Sequence, residues 1–388
     1  MKVIKDTDAL ADLCRRLRQD SYVTVDTEFL RENTYYPKLC LIQLASEGAE
    51  AIVDPLEDRI DLSPFYELMA DRGVVKVFHA ARQDVEIVHV QAGLIPTPLF
   101  DTQVAAMVCG FGDSIGYVNL VKTITNVSLD KGARFTDWSQ RPLSQKQLTY
   151  ALADVTHLRD VYKVLRAELD RTDREAWLAE EMATLTAPET YTTRPGDAWQ
   201  RLKFKAKNRR AMAILMELAE WRERTAQHLD VPRARVLKDD ALYDLANQAP
   251  TTTAELAQMR SFSNGFERSQ RGQELLSVIK SGLERALDGV PSPKNGRQGS
   301  PSDAALVDLL KVLLKASAAR SRVAAKMLAD TEDLERLATE EAPDIPALRG
   351  WRRRLFGDDA LRLKRGEIAL SVRDGEVVVT PLAPASEL

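Results

Sequence analysis

Val23-Thr24-Val25-Asp26-Thr27-Glu28-Phe29 is the segment on which the reading of the fold turns. Asp and Glu are poor strand residues, yet two of them stand at i and i+2 at the end of a β-branched run that starts at Tyr22. The period of two along a strand puts both carboxylates on one face. Left alone they repel each other, so a cation is expected between them, and a divalent metal answers best. A polar strand end running into a turn is the other reading of the same residues. Working outward, Tyr22–Asp26, Leu39–Ala45, Glu50–Asp54 and Val74–His79 are predicted strands. Helical patterns fall at Asp6–Gln19, Pro64–Ala70, Arg82–Gln91, Thr102–Cys109 and from Ser144 to about Leu169. Three strands in succession and then alternation of helix and strand indicate an α/β domain with a mixed sheet and flanking helices.

Two further segments carry acids where chemistry can use them. Asp84, in His79-Ala80-Ala81-Arg82-Gln83-Asp84, falls in the first turn of a predicted helix, where the helix dipole alone also favours a carboxylate. Tyr150 and Asp154 stand at i and i+4 of the long helix, on one face and one turn apart. Each pair read singly is equally compatible with a structural role.

The chain has 388 residues, more than a single core usually supports, and 44% of them are hydrophobic, enough for several cores. Residues 186–204 and 289–301 read as linkers, which leaves units at 1–185, 205–288 and 302–388. The second and third units look all-helical; the third is read as a helix at Ala304–Leu314, a long second helix, another near Ala347–Phe356 and a terminal hairpin around Asp374-Gly375. No apolar run is long enough for a membrane span and the first residues are charged, so a soluble cytoplasmic protein is expected. Three cysteines with no close pair fit reduced thiols and supply no zinc site.

The net charge of −4 argues at first against a nucleic-acid partner, but its distribution does not. Residues 1–180 hold 21 basic and 28 acidic side chains (−7), residues 181–300 hold 19 and 15 (+4), and the rest hold 14 and 15 (−1). Arg201, Lys203, Lys205, Lys207, Arg209 and Arg210 concentrate the middle excess, as a phosphate-contacting strip or as a solvated helix face.

Taken together, Asp-x-Glu on the first long strand, Asp84 and then Tyr-x-x-x-Asp resemble the tyrosine form of the DEDD exonuclease superfamily. Thr34-Tyr35-Tyr36-Pro37, Asp101-Thr102-Gln103 and Asp137-Trp138-Ser139-Gln140-Arg141-Pro142 narrow the resemblance to the ribonuclease D family. Trp221-Arg222-Glu223, Asp230-Val231-Pro232-Arg233 and Leu237-Lys238-Asp239 are similar to the HRDC domain (helicase and ribonuclease D C-terminal), and the third unit resembles a divergent second copy. The histidine form of the superfamily has its histidine five positions before the last Asp; here that position is Thr149.

The resemblance implies an RNase H-like exonuclease domain followed by two all-α HRDC-like domains, and removal of nucleotides from RNA 3′ ends, tRNA precursors foremost. It implies two divalent ions, Mg²⁺ or Mn²⁺, held by Asp26, Glu28, Asp84 and Asp154, whose formal charge of −4 two such ions neutralise. Asp26 is expected to bridge both ions, with Glu28 and Asp154 on one and Asp84 on the other, directly or through water. Tyr150 is expected to orient the attacking water, since a phenol is a poor base at neutral pH. Phe29 and Leu30 are expected to wedge against the terminal base, Gln43 and Trp138 to contact substrate, and Arg141 to bind a phosphate. A monomer suffices, because every catalytic group has a candidate within the chain. The alternatives are a DNA-directed exonuclease of the same superfamily and a non-catalytic RNA-binding protein.

Overall fold

The computed structural model describes residues 3–130, 132, 136–203, 206–292 and 301–382, the side chains of 301 and 302 excepted. Strands β1 (Val3–Ile4), β2 (Tyr22–Leu30), β3 (Lys38–Ala45), β4 (Glu50–Val53), β5 (Val75–Phe78) and β6 (Leu99–Asp101) form one mixed sheet in the order β1-β4-β3-β2-β5-β6. β3 is antiparallel to both β2 and β4; the other pairs are parallel. β2 is therefore central, and its pairing with β3 carries it past the predicted end at Asp26 through the acidic pair to Leu30. Asp26 lies opposite Gln43 and Glu28 opposite Leu41. The register then shifts so that Phe29 faces Leu39, leaving Cys40 as the extra residue of a bulge beside the two acids.

Helices α1 (Thr7–Leu17), α2 (Ser63–Ala70) and α3 (Arg82–Ala92) cover one face of the sheet, burying Leu10, Leu13, Phe65, Leu68, Val85 and Val88 against Val23 and Val25. α4 (Thr102–Val108), α5 (Tyr117–Thr125) and the 28-residue α6 (Gln145–Thr172) lie on the other face. α6 starts with a capping box made by Ser144 and Gln147, and the buried Thr24 hydroxyl donates to Val155 O (2.8 Å), fixing the helix over β2. β1, β6 and α5 had no counterpart in the sequence reading; the two strands contribute only two and three residues, too few for a period to show.

After α7 (Glu175–Thr186) the chain wraps through a 3₁₀ turn at Pro195–Arg201 onto the second unit, where Trp199 packs with Ala213, Met216 and Val290. That unit comprises α8 (Arg209–Leu229), α9 (Arg233–Val236), α10 (Asp239–Gln248), α11 (Thr253–Ala257) and α12 (Gln270–Glu284), around its own core of Leu215, Leu218, Leu242, Leu245, Leu275 and Ile279. Residues 293–300, most of the expected second linker, lie outside the described residues, as does Lys205 of the basic strip.

The third unit begins with α13 (Pro301–Ser321), but the long second helix expected after it is absent among the described residues. In its place are α14 (Ala325–Leu328), α15 (Thr331–Thr339) and a helix in three consecutive pieces, α16 (Gly350–Arg352), a π-helical turn at Arg353–Gly357, and α17 (Asp358–Lys364). Asp330 caps α15, and extended backbone at Ala329, Asp330 and Glu340 sets that helix apart from its neighbours. The Asp374-Gly375 turn joins strands Ile368–Arg373 and Glu376–Pro381. This unit does not bury its apolar surface alone: its core runs continuously into α4, α6 and α7 of the first unit. Trp351 stacks on Trp177 (4.6 Å, 7°), Arg352 pairs with Glu180 (2.5 Å) and Glu181, and Arg174 donates to Val108 O, Ser321 O and Arg322 O.

The second unit meets the first at the loop following β2. Tyr35 enters a pocket between α8 and α9, where its hydroxyl donates to Glu223 and accepts from Gln227 Nε2 (3.1 Å) and Arg233 (2.9 Å). Arg233 grips Glu223 through two contacts of 2.5 Å, and Asp230 accepts the backbone N–H groups of Tyr35 and Tyr36 (3.0 Å each). Motifs that sit 188 residues apart in the sequence are thus two halves of one interface.

Candidate metal centre and its surroundings

β2 and α6 bring Asp26, Glu28 and Asp154 together, with one carboxylate oxygen of each lying within 4.8 Å of the others. They line a cleft of about 430 Å³ together with Thr27, Tyr150, His79, Gln103 and the start of α5 at Gly116–Asn119. Helical spacing places Tyr150 one turn before Asp154 on the same wall. Burial raises the Asp26 carboxyl well above its usual range, and Asp154 raises it further. Burial pushes Glu28 up to about 10, aided by Asp26, Asp154 and Asp84. The charged neighbours acting on Glu28 are thus all acidic. A site of this kind needs either protons or cations, and its donors are all oxygen, the set suited to hard divalent ions.

Asp84 sits one layer deeper. It is 6% exposed, and its Oδ1 accepts a hydrogen bond from the Thr27 hydroxyl at 2.5 Å, so the residue between the two β2 acids ties it to them. Burial, then Asp26, hold its carboxyl well above the usual range. Asp101 fixes the turn that delivers it. Its carboxylate accepts from Ala80 N (3.0 Å) and Ala81 N (2.8 Å) before α3, and from Gln103 N (2.7 Å) at the start of α4. Ala80 is held at φ +59°, an uncommon conformation for a residue with a Cβ. Thr102 Oγ1 donates to Phe78 O and meets His79 Nδ1 at 3.0 Å, while burial lowers the His79 pKa, so a neutral ring faces the acids.

The expected substrate contacts are placed differently. Arg141 has no donor left for a phosphate: Nε and Nη2 grip Asp54 (2.6 Å each), Nη1 donates to Trp138 O and Gln140 O, and Nη2 also donates to Cys40 O. It anchors its own loop to β3 and the end of β4. Trp138 is 3% exposed, packed beneath Tyr150 at 6.1 Å between ring centres, where no base reaches it. Gln43 is fully buried opposite Asp26, and among the described residues its amide meets no partner. Phe29 packs against the α1–α3 side of the sheet and Leu30 against the Trp138 side; both are half-buried next to the cleft rather than lining it. Arg209 and Arg210 donate to carbonyls at the end of α12 and beyond, Leu287 O, Val290 O, Gly282 O and Arg285 O, which makes them part of the second unit's framework. Lys203 and Lys207 are exposed, and Arg201 is exposed beside a second groove.

The sequence reading missed Thr27, Gln103, Tyr117 and Asn119. Thr27 stood inside the deciding segment, and Asp101-Thr102-Gln103 carried part of the resemblance, but α5 itself had not been read. No side chain caps α5, and its N-terminus lines the cleft, an arrangement that favours an anion.

A family model described as 3′-5′ exonuclease matches residues 1–170, and one described as HRDC domain matches residues 211–279. A ribonuclease D of Nitrobacter hamburgensis is 52% identical over 97% of this chain and 99% of its own length. One from Granulibacter bethesdensis is 49% identical over 97% and 95%. Among solved structures, RNase D of Escherichia coli, an exoribonuclease involved in structured RNA processing, superposes with a TM-score of 0.81 at 29% identity, covering 94% of this chain and 98% of that one.

Proposed function

The chain belongs to the ribonuclease D family and is a 3′→5′ exoribonuclease, and from that premise we propose how its cleft works. The observation that carries the reading is the convergence of Asp26, Glu28 and Asp154, drawn from two elements far apart in sequence, in a cleft where burial and like charge leave them in need of cations. We assign them as ligands of divalent ions, Mg²⁺ or Mn²⁺, two in number. Asp84 acts from behind, through water or through the oxygen not engaged by Thr27. Bound there, such ions stabilise the attacking and leaving oxygens of an in-line displacement at phosphorus.

The chain's own residues do the rest. Tyr150 orients the attacking water from the α6 wall, supported from below by Trp138. Neutral His79, with Gln103 and Asn119, offers hydrogen bonds to the sugar of the terminal nucleotide, and the N-terminus of α5 faces its phosphate. Phe29 and Leu30, just past the bulge, are kept as the wedge against the terminal base.

We read the chain as three working units, 1–185, 205–288 and 302–388, joined by 186–204 and 289–301, acting as a monomer on structured RNA 3′ ends, tRNA precursors among them. A cytoplasmic location fits the three free thiols, and no helix among the described residues is long and apolar enough to cross a membrane. The test is incubation of 3′-labelled RNA and DNA of the same sequence with protein and Mg²⁺ or Mn²⁺. Immediate release of labelled mononucleotide from RNA supports the reading. Preference for DNA, or no metal-dependent release from either, overturns it.

A further inference from the structure

Across α3 from the catalytic cleft lies a second groove of about 740 Å³, bounded by the first unit, residues 190–195 and the second unit. Arg82, Glu86, His89 and Val90 line it at helical spacing, while Asp84 points from the opposite, buried face of the same helix. Its floor includes Tyr35 and Arg233 of the inter-unit junction. Arg31 lines it three residues beyond Glu28, so groove and cleft adjoin along the line of β2.

The arginines here differ in kind. Arg31 is paired with Glu86 (2.7 Å) and Arg233 with Glu223 (2.5 Å). Arg82, Arg194 and Arg201 come from three separate segments, are all exposed, and have no carboxylate at ion-pair distance among the described residues. Three uncompensated guanidinium groups converging on one concavity repel each other, and a polyanion relieves that repulsion. Planar guanidinium forks match phosphate oxygens. Tyr36, 36% exposed, and the half-buried Tyr191 offer ring faces on the same walls. Charge alone suits any polyanion; charge together with ring faces suits a single nucleic-acid strand, whose bases stack without regard to sequence.

We propose that this groove holds the single-stranded RNA behind the nucleotide being removed, with Arg82, Arg194 and Arg201 on its phosphates and Tyr36 and Tyr191 against its bases. This rests on the exoribonuclease reading of the cleft. Of the basic strip, it assigns a strand contact to Arg201 and requires none from Arg209 or Arg210.

The experiment compares the full chain with its Arg82→Ala/Arg194→Ala/Arg201→Ala variant by fluorescence anisotropy. The probe is a single-stranded RNA of about ten nucleotides, in EDTA so that nothing is cleaved, over a range of salt. Three lost phosphate contacts should weaken binding about tenfold or more at low salt and flatten the slope of log K against log[salt] by about 2. Equal affinity and slope in the two proteins overturn the proposal, and so does a poly-glutamate of equal charge that displaces the RNA as well as unlabelled RNA does. Because binding is read without metal, the two readings fail separately. A wild type that binds the strand but releases no nucleotide refutes the enzymatic reading. A wild type that releases nucleotides while the variant binds unchanged refutes the groove.

Discussion

Replacing Glu223 by Ala should loosen the docking of the second unit and lower that unit's own stability, since Glu223 holds both Tyr35 of the first unit and Arg233 of its own. Glu223 is 1% exposed and is held by both arms of Arg233 and by the Tyr35 hydroxyl. Removing one partner of a buried ion pair costs about 3–5 kcal/mol, because the other charge is left behind. Both partners of that pair lie in the second unit, on α8 and α9, so with Arg233 31% exposed its loss lowers the stability of that unit itself by about 3 kcal/mol. The docking equilibrium loses the charge-assisted bond from the Tyr35 hydroxyl to Glu223, about 1.5–3 kcal/mol, roughly ten- to a hundredfold. Asp230 on the Tyr35 and Tyr36 amides and Arg235 on Asn33 remain, and the unit keeps its own core. Tyr35→Phe probes the docking contact alone: it keeps the ring under Arg233 (4.7 Å) and the Glu223–Arg233 pair, and loses the three hydrogen bonds of the hydroxyl, to Glu223, Arg233 and Gln227, about 2–4 kcal/mol. Limited proteolysis within 186–204 reads the undocked fraction, and small-angle scattering reads the expansion. Faster cleavage in both variants than in the wild type is expected, with the far-ultraviolet circular dichroism unchanged and a lower thermal midpoint of the second unit in Glu223→Ala alone. Equal cleavage rates and scattering in all three would refute the assignment of this junction as the tie between the units.

Two other outcomes follow from the same contacts. Arg141→Ala should lower thermal stability, by about 3 kcal/mol, since it strands Asp54 at 3% side-chain exposure; a variant of unchanged midpoint that only raises KM for RNA would restore the phosphate role. The carboxyls of Asp26, Glu28 and Asp84 are all raised in the metal-free chain, Glu28 to about 10. Their folded values therefore exceed the unfolded ones, so their contribution to stability is complete at low pH and is lost as pH rises from about 4.5 through the raised values. Metal ions must displace those protons, and the rise in Tm produced by Mn²⁺ should grow between pH 6 and pH 9. A rise that is flat with pH, measured by differential scanning fluorimetry, contradicts the acidic cluster as the binding site.

Asp26 and Glu28 were legible because acids at the end of a β-branched strand violate local propensity without local compensation, and such conflicts mark functional sites. Helical spacing put Tyr150 and Asp154 on one face, but read alone it suited a structural role equally well, and only the resemblance of the three segments together singled the pair out. What the sequence left open was which polar residues serve the fold. Arg141 has the composition of a phosphate ligand, and only the position of Asp54, 87 residues away, turns it into a loop anchor. Arg209 and Arg210 read as a basic strip until the end of α12 supplies carbonyls for them. Tyr35 and Glu223 each marked a family resemblance in separate units, and nothing local showed that they meet. The third unit was hardest, because its apolar surface is completed by α4, α6 and α7 rather than by its own helices alone, so its pattern read as one long second helix where the structure has the two short helices α14 and α15.

The account stands most directly on Asp26. Asp26→Asn keeps the size and the strand pairing of the residue and removes one carboxylate charge from the cluster. Initial rates of mononucleotide release from 3′-labelled RNA, with Mg²⁺ or Mn²⁺ at saturation, should fall by about a thousandfold or more, while anisotropy in EDTA shows RNA affinity within about threefold of wild type. A variant that releases nucleotides at the wild-type rate would contradict the metal centre on which the mechanism depends.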